Sequence, residues 1–227
     1  LAADYSQVEL RIIAALSQDE VMIEAFRQGM DIHAATASKV FGVALESVDR
    51  EMRSKAKAVN FGISYGQGAF GLAQNLNISR GEAKEIIDNY FEQFPRLQAY
   101  QSESVNFARE HGYVETIMGR RRYLSDIHSA NAVVRGFAER NAINTPIQGS
   151  AADVIKIAMI NIHRRFEKEQ FRSKMIMQVH DELVFDAYRD EIDMIKPIII
   201  DEMQNAVKLP VPLQVDIDQG ENWLEAH

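Results

Sequence analysis

The sequence contains no cysteine. That excludes a disulfide framework and any cysteine-based metal site, and it suits a reducing compartment. No run of about 18 apolar residues occurs, so no segment reads as a membrane-spanning helix. No secretory leader is visible, and the first residue, Leu1, reads as a cut within a longer chain. Basic residues are in the minority: 25 Lys and Arg stand against 33 Asp and Glu, a net charge of −8. A surplus of that sign argues against nonspecific binding to a polyanion. A nucleic-acid partner would need local basic patches or basic parts outside this segment. Internal repeats and low-complexity stretches are absent too. What is present is globular: 227 residues, 46% hydrophobic and 26% charged, enough for one large core or two modest ones.

The local pattern is helix-rich between strand-forming ends. Residues 1–6 read as the end of a strand, followed by a short helix. Ser17 with Glu20 has capping-box spacing and predicts a helix to about Gly29. Asp31 caps the next, which stops near Gly42, and a longer helix is expected from Ser47 through Phe61. Ser79 with Glu82 opens another to about Gln93, and Pro95 starts one reaching Gly112. Residues 113–124 read as a hairpin turning at Gly119. A long helical pattern over 130–168 has Pro146 as a kink or break. Residues 174–187 read as two buried apolar strands, 189–207 as a helix disturbed by Pro197, and Val211 to Ile217 alternates as a strand. The expected class is α+β, with the two ends meeting in one sheet and the middle projecting from it.

Four stretches carry candidate chemistry. In QVHDELVF, His180, Asp181 and Glu182 fall between the two apolar strands. As a solvated hairpin tip they would be ordinary turn residues, yet the tip lacks the Gly or Asn that tight hairpins favour. Neighbouring carboxylates repel, and a hard cation such as Mg²⁺ would relieve that. In LAADYSQVELR, Asp4 ends the first strand, with Glu9 and Arg11 on the helix that follows. Asp4 alone is a good helix-start residue. If its strand lies beside that of Asp181, the two carboxylates could clamp two metal ions about 3.5–4 Å apart, as in-line phosphoryl transfer requires.

In RSKAKAVNFGISYG, Arg53, Lys57, Phe61 and Tyr65 step by four along one helix face. Two cations followed by two aromatics match the polarity of a nucleoside triphosphate; an amphipathic helix with solvated cations and buried rings fits the spacing equally. In RNAINTPIQGSAAD, Arg140, Asn144 and Gln148 make a second stripe. It is either an exposed polar face or a set of donors for minor-groove acceptors, which every base pair presents. Gly66, Gly68 and Gly71 form a GxGxxG, but after a helix and without a βαβ unit, so the dinucleotide reading fails. P-loop and protein-kinase signatures are absent.

The four stretches, in this order, closely resemble the polymerase module of family A DNA polymerases, the bacterial DNA polymerase I group. The resemblance runs from Ala3 to the closing NWLEAH. It implies a palm subdomain with a small antiparallel sheet (residues 1–16 and 113–227), helical fingers inserted at 17–112, and a missing thumb. It implies template-directed transfer of deoxynucleotides from dNTPs to a primer 3′-hydroxyl, with two Mg²⁺ ions held by Asp4, Asp181 and the Tyr5 carbonyl. Glu182 resembles a helpful neighbouring acid. Arg53 and Lys57 resemble triphosphate grips, Lys57 also a general acid to pyrophosphate. Phe61 would lie near the incoming sugar, Tyr65 at the template-base position, and His33 on a phosphate. Arg140, Asn144, Gln148 and His180 resemble contacts to the primer–template. Glu9 would fill the space of a ribose 2′-hydroxyl, which sets the chain apart from single-subunit RNA polymerases sharing the R-x3-K-x7-YG spacing.

The partners so implied are primer–template DNA, dNTPs and the rest of the polymerase chain, with a thumb and an exonuclease-like domain. The full-length form would be a monomer in the bacterial cytoplasm, associated with the nucleoid and free of membrane. The segment alone would extend DNA weakly or not at all, which leaves open a nucleic-acid or nucleotide-binding module without turnover.

Overall fold

The computed structural model describes residues 1–226. Strand β1 (Ala2–Tyr5) leads into α1 (Val8–Ser17), α2 (Glu20–Arg27), α3 (Ile32–Phe41), α4 (Arg50–Ser64), α5 (Ala69–Leu76), α6 (Arg80–Gln93) and α7 (Pro95–His111). A hairpin of β2 (Tyr113–Glu115) and β3 (Arg121–Tyr123) precedes the long α8 (Ala132–Glu169). Strands β4 (Lys174–Val179) and β5 (Glu182–Asp186), helix α9 (Ile192–Gln204) and strand β6 (Val215–Asp218) complete the chain. The α+β class is as the sequence implies. Two compact units result: Leu1–Ile12 with the chain from Gln148 onward, and Ile13–Ile147.

The first unit is built on an antiparallel sheet ordered β4-β5-β1-β6. Residues from the start of the sequence thus lie between two strands from its end, and the N-terminal amine donates to the Phe185 carbonyl at 2.9 Å. Strand β1 is interior to the sheet and buried except at Asp4. The edge strands are β6 and β4. The composition of β4 reads as buried, but its Ile176 is 62% exposed at a bulge in the register. Strand β5 is buried along Glu182–Phe185. Helix α9 packs on β1 and β6 with Ile195, Ile199 and Met203 wholly buried. They recur every four residues, one helical face, and each contributes about 1.5–3 kcal/mol on burial. Pro197 lies inside α9 without ending it, as Pro146 does in α8.

The second unit is helical, with α3 against α4 and α5 against α6. Local signals set its helix ends. Asp31 caps α3 by accepting from the amides of His33 and Ala34, and Gly42 ends it at φ 63°. Ser79 and Glu82 form the reciprocal capping box of α6, and Pro95 opens α7, which Gly112 closes at φ 77°. The Ser17 prediction is corrected: Ser17 is buried at the end of α1, and Asp19 caps α2 by accepting from Met22 N at 3.1 Å. The same carboxylate accepts from Arg96 N at 3.1 Å, a partner no local pattern reveals. Likewise α4 starts after Asp49, not at Ser47, and runs to Ser64. Helix α5, unforeseen, follows the glycine-rich turn. The β2–β3 hairpin joins this unit because Val114, Leu124 and Ile127 share a core with Ala108 of α7 and Ala138 and Ala142 of α8. The compact division therefore falls at 12/13 and 147/148, whereas the palm–fingers division drawn from the sequence falls at 16/17 and 112/113.

Candidate functional site

The first candidate site is the end of the sheet where β1 meets the β4–β5 turn. Asp4 has Glu182 of β5 and Asp216 of β6 as its cross-strand partners. Tyr5 N donates to the Asp181 carbonyl at 3.3 Å, which ties the strand end at Asp4 to the turn. Val179 pairs with Glu182, so His180 and Asp181 are the whole turn. His180 takes φ 53°, the left-handed region that tight hairpins usually give to glycine. Gln178 supports the turn by donating Nε2 to the His180 carbonyl at 3.0 Å. A second non-glycine residue in that region, Gln7 at φ 54°, follows closely on Asp4 and Tyr5. Such positions cost about 1–3 kcal/mol each and persist where the surroundings over-determine them.

Directly opposed like charges destabilise a sheet, and the flanking carboxylates of this row have compensating neighbours. Glu182 is 5% exposed and accepts from Trp223 Nε1 at 2.6 Å. Asp216 lies close enough to the buried Arg11 to favour its charged form, though burial lowers the Arg11 pKa overall. Asp4 is exposed and Asp181 half-buried. The Tyr5 side chain points away to a structural role: it is buried, its hydroxyl donates to the Met203 carbonyl at 2.7 Å, and burial raises its pKa. Its main-chain carbonyl is the part of interest here.

Among the described residues no group of three or more His, Cys, Asp or Glu forms a metal-holding cluster. Two carboxylates at adjoining strand ends with a main-chain oxygen nevertheless fit Mg²⁺. That ion takes oxygen donors, uses one or two protein carboxylates, and draws its remaining ligands from water and phosphate.

The second candidate site is a face of the helical unit. On α4, Arg53 is half-exposed, Lys57 exposed, and Phe61 half-buried. Tyr65 is the C-cap residue, its ring centroid 6.0 Å from that of Phe61. His33 of α3 completes the group at 5.8 Å from Phe61. Arg53 Nε donates to Asp31 Oδ2 at 2.6 Å, so the α3 cap also orients this cation. Burial alone would raise the Asp31 pKa, but the bond from Arg53 and the amides of Ala34 and His33 bring it below the usual value. His33 is 2% exposed. Burial, then Arg53, lowers its pKa to about 4 against the opposing pull of Asp31, with Lys57 also lowering it. The ring is neutral near pH 7.

The third stripe lies on α8. Arg140 and Gln148 are exposed and Asn144 half-buried. The Arg140 guanidinium carbon sits 6.0 Å from the Phe137 ring centroid. Glu9 is half-buried in the first turn of α1. The sequence-predicted residues therefore gather as Asp4, Tyr5, His180, Asp181 and Glu182 at the sheet end, and His33, Arg53, Lys57, Phe61 and Tyr65 on the helical face. Asn60, Asp216 and Trp223 escaped sequence reasoning, and Asp31 was read only as a helix cap. For Asn60 a signal existed: it is a polar residue on the buried face of α4, and buried amides require partners.

Comparisons with known proteins show the family of the chain. The family model for DNA polymerase family A matches residues 1–225. DNA polymerase I of Caldicellulosiruptor bescii is 52% identical over 223 residues, 98% of this chain and 26% of that protein. DNA polymerase I of Geobacillus stearothermophilus is 52% identical over 225 residues, 99% of this chain and 26% of that protein. A solved structure, the POL domain of Pol1 from M. smegmatis in complex with DNA primer-template and dNTP, superposes with a TM-score of 0.96 at 45% identity, covering 99% of this chain and 40% of that one. The chain belongs to DNA polymerase family A. It spans about a quarter of the length of the curated relatives it matches.

Proposed function

We propose that this chain carries the catalytic and nucleotide-gripping residues of a DNA-directed DNA polymerase, which adds deoxynucleotides from dNTPs to a primer 3′-hydroxyl on a DNA template. The observation that carries the proposal is the register setting Asp4 beside the His180–Asp181 turn, in a chain of this family. The Asp4 and Asp181 carboxylates with the Tyr5 carbonyl would hold two Mg²⁺ ions, whose chemistry when bound is Lewis-acid charge at the attacking and leaving oxygens. Glu182, held by the Trp223 indole, supports the strand rather than ligating. Arg53 and Lys57 grip the triphosphate and Lys57 protonates the departing pyrophosphate. Phe61 and Tyr65 offer ring faces to the sugar and the template-base position, and His33 donates to a phosphate. Glu9 packs where a ribose 2′-hydroxyl would stand, which favours DNA over RNA synthesis. Arg140, Asn144, Gln148 and His180 contact the primer–template terminus. In this reading residues 17–112 act as fingers and residues 1–16 and 113–227 as palm, in a monomeric bacterial enzyme of the cytoplasm and nucleoid, serving replication and repair.

The net charge of −8 and the quarter-length span favour a second statement. Backbone phosphate contacts dominate DNA affinity, and a thumb and exonuclease-like region elsewhere in the longer protein would supply many of them. Alone, the chain extends a primer weakly or not at all. The test is to titrate Mg²⁺ or Mn²⁺ into wild type and Asp181→Ala with primer–template and dNTP. Metal-dependent incorporation lost in the variant supports catalysis, and binding without incorporation supports a module without turnover. No difference between the proteins in either assay rejects the metal role. In a polymerase of the relatives' full length carrying this chain, Asp4→Ala or Asp181→Ala should abolish the chemical step and spare DNA binding.

A further inference from the structure

The buried contacts behind His33 form a short chain. Thr36 Oγ1 donates to Asn60 Oδ1 at 2.8 Å, and Asn60 Nδ2 faces His33 Nδ1 at 2.8 Å. Thr36 and His33 lie on α3 and Asn60 on α4, and the three are 3%, 2% and 0% exposed. An amide NH₂ only donates, so Nδ1 must accept. A neutral imidazole has one donor and one acceptor nitrogen, and its proton is then on Nε2. The geometry points to Asn60 as the positioning residue of this surface: its amide fixes His33 as the tautomer whose single N–H is on Nε2, leaving that N–H to meet a phosphate oxygen. The inference rests on the proposed triphosphate role of this face and deepens it, since Nδ1 is already engaged and only Nε2 can meet the ligand.

The neighbouring cations act the same way. Asp31 at the start of α3 attracts a proton to the ring, while Arg53 and Lys57 on α4 repel it. A protonated ring would also point Nδ1–H at the Asn60 NH₂, donor against donor. The pair of cations therefore binds the anion as charges, and His33 adds a directed hydrogen bond without adding a third charge. Asparagine suits this position because it presents a donor to the ring and an acceptor to Thr36 from one planar group. An aspartate of the same shape would offer only acceptors and reverse the ring.

The test is a long-range ¹H–¹⁵N correlation spectrum of the chain labelled with ¹⁵N-histidine, with the His33 signals assigned by their loss in His33→Gln. The expected wild-type pattern is a protonated Nε2 and a bare Nδ1, unchanged from about pH 5.5 to pH 8. In Asn60→Asp the proton should move to Nδ1, and the ring should titrate more than about one pH unit higher. A wild-type ring protonated at Nδ1 overturns the inference, as does a ring in Asn60→Asp unchanged in both respects. The wild-type spectrum decides the tautomer even if the variant fails to fold. Adding deoxyadenosine triphosphate with Mg²⁺ separates the two readings. The expected tautomer with an Nε2 signal that moves supports both. The expected tautomer with an indifferent signal upholds Asn60 and sinks the phosphate role of His33. A responsive signal on the opposite tautomer sinks the Asn60 inference alone.

Discussion

Arg11 offers a perturbation whose size follows from its contacts. It is 4% exposed and donates from Nε to the Ser6 carbonyl at 2.8 Å, from Nη1 to the Pro212 carbonyl at 2.6 Å, and from Nη2 to Gln214 Oε1 at 3.0 Å. It thereby ties the turn after β1 to the stretch before β6, reinforced by Ser6 N donating to the Gln214 carbonyl at 2.9 Å. Arg11→Met removes these donors and leaves the acceptors of three part-buried bonds without them. A hydrogen bond to a charged group contributes about 1.5–3 kcal/mol, but these three share one side chain whose burial as an ion costs several kcal/mol. The balance expected is a loss of about 3 kcal/mol, against a whole stability of roughly 5–15 kcal/mol. For a chain of this size that is roughly 6–12 °C in Tm. Arg11→Lys keeps the charge but not the planar fork and should lose about half as much. Urea midpoints and thermal scans of the three proteins measure this. Apolar replacements of buried ions are sometimes neutral, so an Arg11→Met protein unfolding at or above the wild-type midpoint would refute the argument that this fork anchors the site.

With this chain set in a polymerase of its relatives' full length, Glu9→Ala should relax sugar discrimination by at least about tenfold, read as the ratio of ribonucleotide to deoxynucleotide incorporation; an unchanged ratio rejects the proposed steric role. Glu191 accepts from the Ser173 hydroxyl, from the amides of Arg172 and Ser173 and from the Arg172 side chain, which together lower its pKa to about 2. A depressed carboxylate contributes stability that is complete above its unfolded pKa, near 4.5, and lost as pH falls from there through about 2. Glu191→Gln should therefore be less stable than wild type at pH 7 and show a flatter decline in that acid window. Parallel acid profiles of the two proteins would reject the assignment.

Much of the helical unit was legible because its helix ends are local events. Asp31, the Ser79–Glu82 pair, Pro95 and Gly112 act on amides and carbonyls within a few residues of themselves, and sequence carries that information. Asp19 was missed because Ser17 offered the same spacing and because half of its bonding goes to Arg96, far along the chain. Strand β4 misled for a related reason: its apolar residues predict burial, but exposure depends on a place in the sheet that pairing fixes. The missing Gly or Asn at the hairpin tip was a true signal, and His180 answers it with a left-handed backbone. Within the candidate site, motif order singled out Asp4, Asp181 and the α4 stripe. It could not find Asn60 behind His33 or Trp223 on Glu182, since both bonds join elements that only the folded chain brings together.

The interior place of β1 sets an order of assembly. Ala2 to Tyr5 find their strand partners in residues 182–184 and 215–218, so a ribosome makes Asp4 long before the strands that flank it. Closing so long a loop precedes any reward from the pairing. Until then Leu1 to Tyr5 must wait as an apolar segment without a sheet, while the helical unit can mature from contacts already synthesised. The sheet end at Asp4 is thus completed late in the growth of the polypeptide.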